Sequence, residues 1–268
     1  MPPLAAGVDH SANCATSRIS IKLLSGFALH VDGALVPVPL GTQRLLALLA
    51  LRGRTERDRL AGCLWPCTAN NRALGSLRTH IWRANLAVPG LVVATRRVVA
   101  LGGEPDVDVH HLVTRSRVMF EPGSGNPVPF DLGFDGGELL PGWGDPWLVA
   151  DRERLWQLHL HLLEVMADQL ATEERYCAAL EFALAAVSAD ELRESAYRTL
   201  IRIHLAEGNV VEARRAYQRC TRLLAAELGV LPSPVTAALV PRLWSSHESP
   251  IHLAANIERC HAVPKAGP

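Results

Sequence analysis

Residues 71–101, NRALGSLRTHIWRANLAVPGLVVATRRVVAL, decide how the first half of this chain is read. On a wheel of ~100° per residue, Ala73, Leu77, Ile81 and Ala84 gather on one side of a helix over about residues 71–86 and form a core face. Arg72, Ser76, Thr79 and Arg83, at i, i+4, i+7 and i+11, make a single stripe opposite. Gly75 falls inside that stripe, where it lets the backbone come close to whatever the stripe touches. The helix stops before Pro89-Gly90. LVVA and VVAL then flank the polar tip Thr95-Arg96-Arg97, the pattern of a β-hairpin.

Upstream, residues 19–40 carry short apolar runs parted by Asp32-Gly33, a hairpin signal that predicts two or three strands. A helix starts at Gly41-Thr42, buries Leu45, Leu46, Leu48, Leu49 and Leu51, and ends at Gly53. Residues 57–64 form a second short helix, stopped before Pro66. Strands, three helices and a hairpin in that order describe a winged helix with an extra sheet in front.

Charge agrees with this reading. The formal net charge is zero, but residues 19–117 hold Lys22 and twelve arginines against six acids. Between Arg59 and Gly103 there are six arginines and no acid, whereas residues 147–240 hold 13 acids and 10 arginines. A basic half joined to a mildly acidic one points to a polyanionic partner for the first. An Arg/Ser/Thr/Arg ridge suits the major groove: arginine pairs with guanine O6 and N7, and hydroxyls take base edges or phosphate. Arg78, on the flank, suits a phosphate, and Trp82 either packs or meets a thymine methyl. Arg96 and Arg97 at the wing tip reach the neighbouring minor groove or its phosphates. The bland alternative is a solvated arginine face, which the acid-free stretch disfavours.

Residues 121–144 are dense in proline and glycine and read as a linker, with Phe130, Phe134 and Trp143 packing it onto a domain. From residue 147 to 228 the pattern is helical, broken at 172–175, 189–190 and 208–209. A shift of 34 residues places Leu163 on Tyr197, Met166 on Leu200, Ala167 on Ile201 and Leu170 on His204. In the partner helices Ala179 falls on Ala213, Ala183 on Tyr217 and Ala186 on Cys220. A period of 34 with small residues at the crossing is the tetratricopeptide pattern, with a generic bundle as the alternative. A helix around residues 235–243 is expected to cap the stack. Residues 1–18 and those after Trp244 read as loose tails.

The expected architecture is therefore an α+β winged helix-turn-helix domain (19–117), a linker (118–146) and an all-α tetratricopeptide-like domain (147–243). No run of ~18 apolar residues and no secretory leader pattern occurs, so a cytoplasmic, nucleoid-associated protein without membrane contact is expected. Cys14, Cys63, Cys67, Cys177, Cys220 and Cys260 are scattered and read as free thiols. Cys63 and Cys67 lack a second ligand pair for a metal. The pairs His110-His111 and His159/His161, the first read as lying in a strand, have no carboxylate at a metal-site spacing. Neither a nucleophile elbow nor a phosphate loop appears, so no cofactor, metal or catalysis is expected.

Arg44–Leu49 (RLLALL), Arg57–Leu60 (RDRL) with Leu64-Trp65-Pro66, and Ser76-Leu77-Arg78 with Ile81-Trp82-Arg83 resemble the OmpR-like domain of the Streptomyces antibiotic regulatory protein family. The second half resembles the bacterial transcriptional activation domain of that family. Its matches are Leu139–Trp143 (LLPGW) with Trp147 and Glu153-Arg154-Leu155, then LRESAY at 192–197, LAEGN at 205–209, and ELGV at 227–230 followed by Pro232-Ser233-Pro234. The resemblance implies an activator of a secondary-metabolite gene cluster. Such a protein binds promoter direct repeats near the −35 element, as two copies on the duplex, and contacts the sigma and alpha subunits of RNA polymerase. Pro66, Cys67, Thr68, Ala69 and Asn70 correspond to the loop that the family presents to polymerase. The ATPase domain of larger members is not expected here. Three departures stand out: Cys67 replaces a common acid, Val98–Leu101 (VVAL) lacks the frequent Gly-Tyr pair, and Asn85 stands where arginine is frequent. Beside an enzyme, the main rival class, a second rival is a regulator working mainly through protein contacts, whose winged helix no longer binds DNA.

Overall fold

The structure, a computed structural model, describes residues 18–120, 137–239 and 241. The chain folds as two compact units, Met1–Trp156 and Gln157–Pro268.

The first unit opens with β1 (Ile19–Lys22), β2 (Ala28–Val31) and β3 (Ala34–Leu35). Asp32 and Gly33 both take positive φ (51° and 85°), the two-residue turn whose twist matches the flanking strands. Helices α1 (Leu40–Arg52), α2 (Arg57–Leu64) and α3 (Asn70–Ala87) follow, with β4 (Thr55–Glu56) between the first two. The wing is β5 (Val92–Ala94) and β6 (Val98–Leu101), and β4 joins it as a third antiparallel strand. Leu45, Leu46 and Leu49 of α1, Leu60 of α2, Leu77 of α3 and Leu91 are fully or almost fully buried together with Val99.

Besides the short β4, two elements escape a pattern reading. β7 (Asp106–Val107) pairs in parallel with β1, completing a sheet of order β3-β2-β1-β7. Helix α4 (Asp108–Phe120) follows at once. His110 and His111 thus lie on a helix, not in a strand as the sequence reading had it. The cause is tertiary: the Asp108 carboxylate accepts backbone N–H bonds from Leu23, Leu24 and Val109, at 2.8–3.0 Å, tying the start of α4 to the end of β1.

Gly137–Trp156 also belongs to this unit. Leu139 bridges Leu24, Leu140 N–H donates to the Leu23 carbonyl at 2.9 Å, and Trp143 stacks on Phe27 with ring centroids 6.4 Å apart. Asp145 pairs with Arg44 of α1, and Asp151 with Arg52 at 2.7 Å. Arg152 donates to the carbonyls of Leu139, Leu140 and Trp143 and pairs with Glu138. Phe130 and Phe134 lie outside the described residues.

Helix α5 (Val149–Thr172) leads into the second unit, where α6 (Tyr176–Ala189), α7 (Glu194–Ala206), α8 (Val210–Leu228) and α9 (Pro234–Ala237) follow. The 34-residue period is visible in the backbone itself. Glu174 and Gly208 both take positive φ (60° and 84°). Arg175 N–H donates to the Leu170 carbonyl and Asn209 N–H to the His204 carbonyl, at 2.9 and 2.7 Å. Each of those residues is the other's equivalent one repeat on. Ala179, Ala183 and Ala186 of α6, with Ala213 and Cys220 of α8, are buried at the crossings. Arg202 reaches both carboxylate oxygens of Asp168, and Glu164 accepts from Arg193 and Ser195, so charge joins α5 to α7. Glu194 accepts from the Ser233 N–H and hydroxyl and Thr236 is buried, which seats α9 against α7. The rest of the expected capping helix, residues 240, 242 and 243, lies outside the described residues. The fold is a winged helix-turn-helix followed by a tetratricopeptide-like helical domain.

Candidate nucleic-acid interface

Helix α3 buries Ala73, Leu77 and Ala84 and half-buries Ile81. Its other side carries the stripe: Arg72, Thr79 and Arg83 are exposed, and Ser76 is half-buried. Thr79 Oγ1 donates to the Gly75 carbonyl one turn back at 3.2 Å, so its hydroxyl begins engaged with its own helix. A Cβ added at Gly75 would meet nothing closer than the Arg78 guanidinium at 3.9 Å. Nothing within the protein therefore requires glycine there, although it weakens the helix by about 1 kcal/mol relative to alanine. Trp82 is 62% exposed and Leu86, one turn on, 67%. Packing does not explain the Trp82 indole.

The wing tip is fixed to α2. Arg57 Nε donates to the Thr95 carbonyl at 2.8 Å, and Arg57 N–H to the Arg97 carbonyl at 2.9 Å. Thr95 closes the tip through its N–H to the Val98 carbonyl. Arg96 and Arg97 are left exposed, and they share a cleft of about 580 Å³ with Arg78, Arg57, Glu56, Asp58 and Leu74. The flank of α3 and the wing thus face one space, while Arg72, Ser76, Thr79 and Arg83 lie outside its lining. Sequence reasoning gave Arg57 no site role, because its task depends on a tip 38 residues away.

Asn85 has a clear job. Its amide donates to the Val92 carbonyl and accepts from the Val92 N–H, both at 2.9 Å, locking the end of α3 to the first wing strand. An arginine could not replace that donor–acceptor pair.

The orientation of α3 is set by His80. Its Nδ1 lies 3.1 Å from Thr42 Oγ1, and its ring stacks on Trp65 at 5.7 Å and 15°. Burial, and then the Arg83 charge, push its pKa below the ordinary histidine value. Trp65 leads into the exposed loop Pro66, Cys67, Thr68, Ala69 and Asn70, where Thr68 N–H donates to the Trp65 carbonyl at 3.1 Å. The loop enters α3 with no side-chain cap, and Arg72 N–H in the first turn donates to the Ala69 carbonyl at 2.9 Å.

Residues 132–243 match the family model described as the bacterial transcriptional activator domain. The regulatory protein AfsR of Streptomyces coelicolor is 29% identical over 224 residues, covering 79% of this chain and 22% of the relative. In sequence the chain is similar to the Streptomyces antibiotic regulatory protein family. The chain spans about a fifth of the length of that curated relative. Mycobacterium tuberculosis EmbR, solved in complex with a low-affinity phosphopeptide, matches 91% of this chain and 69% of its own with a TM-score of 0.64. At 19% identity that likeness is one of fold.

The family's matched domain begins inside the first compact unit: Leu139, Leu140, Trp143 and Asp145 all hold on to the winged helix. The histidines considered for chemistry do other things. His110 Nε2 lies 2.8 Å from the Ala50 carbonyl, His111 pairs with Asp106, and His159 is buried in α5. Among the described residues no three His, Cys, Asp or Glu side chains could hold a metal ion, and no helix is long and apolar enough to cross a membrane. Cys63, Cys67, Cys177 and Cys220 are free thiols, and burial raises that of Cys220 to a pKa of about 11. Cys14 and Cys260 lie outside the described residues.

Proposed function

We propose that this protein is a sequence-specific DNA-binding activator of transcription from the promoters of a secondary-metabolite gene cluster. The observation that carries the reading is the outward row on α3, Arg72, Ser76, Thr79 and Arg83, flanked by Arg78, Arg96 and Arg97 within a stretch free of acids. The row enters the major groove, where Arg72 and Arg83 read base edges and Ser76 and Thr79 take bases or phosphate. Trp82 lies against a thymine methyl. Arg78 takes a phosphate, and the wing arginines take the adjoining minor groove or its backbone. Two copies occupy direct repeats near the −35 element. There the 66–70 loop meets RNA polymerase through its sigma and alpha subunits.

The test is a footprint of the purified protein across its own gene neighbourhood, repeated over a range of salt. Neutralising three phosphates through Arg78, Arg96 and Arg97 alone gives a slope of log affinity against log salt of about −2.7. A protected repeat with that slope or a steeper one supports the reading. Absence of any protected site would leave the protein-contact regulator as the better account.

A further inference from the structure

A second cleft in the first unit, of about 480 Å³, shares only Glu56 with the one beside the wing, and none of the reading row lines it. Its walls are Arg54 of the loop after α1, Arg59 and Cys63 of α2, Leu48 and Arg52 of α1, and the indole of Trp147. Arg52 is already neutralised by Asp151 at 2.7 Å. Arg54 and Arg59 are exposed and have no carboxylate partner among the described residues, so two guanidinium groups face a space whose lining has one acid, Glu56. The indole is held at its edge, Nε1–H donating to Asp145 at 3.2 Å, and so presents a fixed flat surface.

We propose that this cleft is a binding site for a small planar organic anion, its carboxylate or phosphate held by Arg54 and Arg59 and its ring lying against Trp147. The volume falls in the range of about 300–1,000 Å³ usual for small-molecule sites. A guanidinium fork matches either oxyanion in two parallel bonds, and desolvation beside an indole strengthens that pairing. Cys63 on the wall supplies a local reporter that does not depend on DNA binding.

The experiment measures iodoacetamide alkylation of each cysteine in the full chain by peptide mass spectrometry. The added ligands are 1-naphthyl phosphate or 1-naphthoate, with inorganic phosphate and the uncharged 1-naphthalenemethanol as controls lacking ring or charge. A naphthyl anion at ten times its Kd is expected to slow Cys63 alkylation about tenfold. Cys67 and Cys177, both exposed and outside the cleft, keep their rates. The arm that protects, phosphate or carboxylate, identifies the anion. Arg54→Gln with Arg59→Gln abolishes the protection while the thermal melt followed by circular dichroism stays unchanged. The proposal is overturned if neither naphthyl anion protects Cys63, if either control protects it equally, or if protection survives in the double variant. Protection by duplex DNA in place of the naphthyl anions also overturns it, because the two arginines would then be a phosphate rail.

Discussion

Thr42 Oγ1, in the first turn of α1, lies within hydrogen-bond distance, 3.1 Å, of His80 Nδ1 in the middle of α3. On either side of Leu77, α3 presents only the small residues Ala73 and Ala84 to the core, and these offer little resistance to rotation about its axis. A directional bond between two helices does resist it, and with it any swing of the stripe carrying Thr79 and Arg83. Thr42→Val keeps the volume and removes the acceptor and donor, so it should lower stability by about 0.5–1.5 kcal/mol in urea unfolding. Gly41→Ala should lower the unfolding midpoint further, because the added methyl collides with the His80 ring.

Arg83 and Arg97 should behave differently. Arg83→Ala is expected to cost about 1–3 kcal/mol against one base pair and relax preference there. Arg97→Ala should weaken every sequence evenly and make the salt slope shallower by about 0.9. Gel shifts on a promoter and its single-base variants separate the two patterns.

Altering the exposed loop with Pro66→Ala, Cys67→Ser and Thr68→Ala in one chain should leave promoter affinity unchanged while transcription in a reconstituted polymerase assay falls. Lost DNA binding would remove the polymerase assignment from that loop.

The segment that opens the activator-domain match should be needed by the winged helix. Leu140 is fully buried, and Leu140→Ala should cost about 2–5 kcal/mol. A fragment ending at Arg117 should unfold at lower temperature than one ending at Trp156, as read by circular dichroism.

Acid should weaken both units. Burial lowers the pKa of His159, and burial with the Arg83 charge lowers that of His80. A depressed histidine resists protonation only when folded, so its contribution is complete above the unfolded value of about 6.5 and is lost as pH falls from there. The melting temperature should drop between pH 7 and about 5.5, above the usual carboxylate range. Asp108, raised by burial, opposes this only as its own carboxyl takes up a proton. His159→Gln should flatten the slope.

Much of this was legible in the sequence because it is periodic. Helix α2 falls on residues 57–64 as expected, α3 extends one residue beyond each expected end, and the 34-residue shift reappears in the turns at Glu174 and Gly208. What escaped depends on partners distant in the chain. β4 has two residues and exists only through Val98 and Val99, while α4 is anchored by Asp108 reaching the Leu23 and Leu24 amides. The exposure of Arg72, Thr79 and Arg83 followed from helical geometry. The link between Arg57 and the wing, and the Asn85 bridge, needed the fold.

The most direct measurement places a photoreactive amino acid at position 79 and irradiates the protein on promoter duplex. The account predicts a covalent adduct that maps to one major-groove position within each repeat, and none when the crosslinker sits instead at exposed Thr114 of α4. Adducts from position 114 with none from position 79, on a promoter that the protein demonstrably binds, would contradict it.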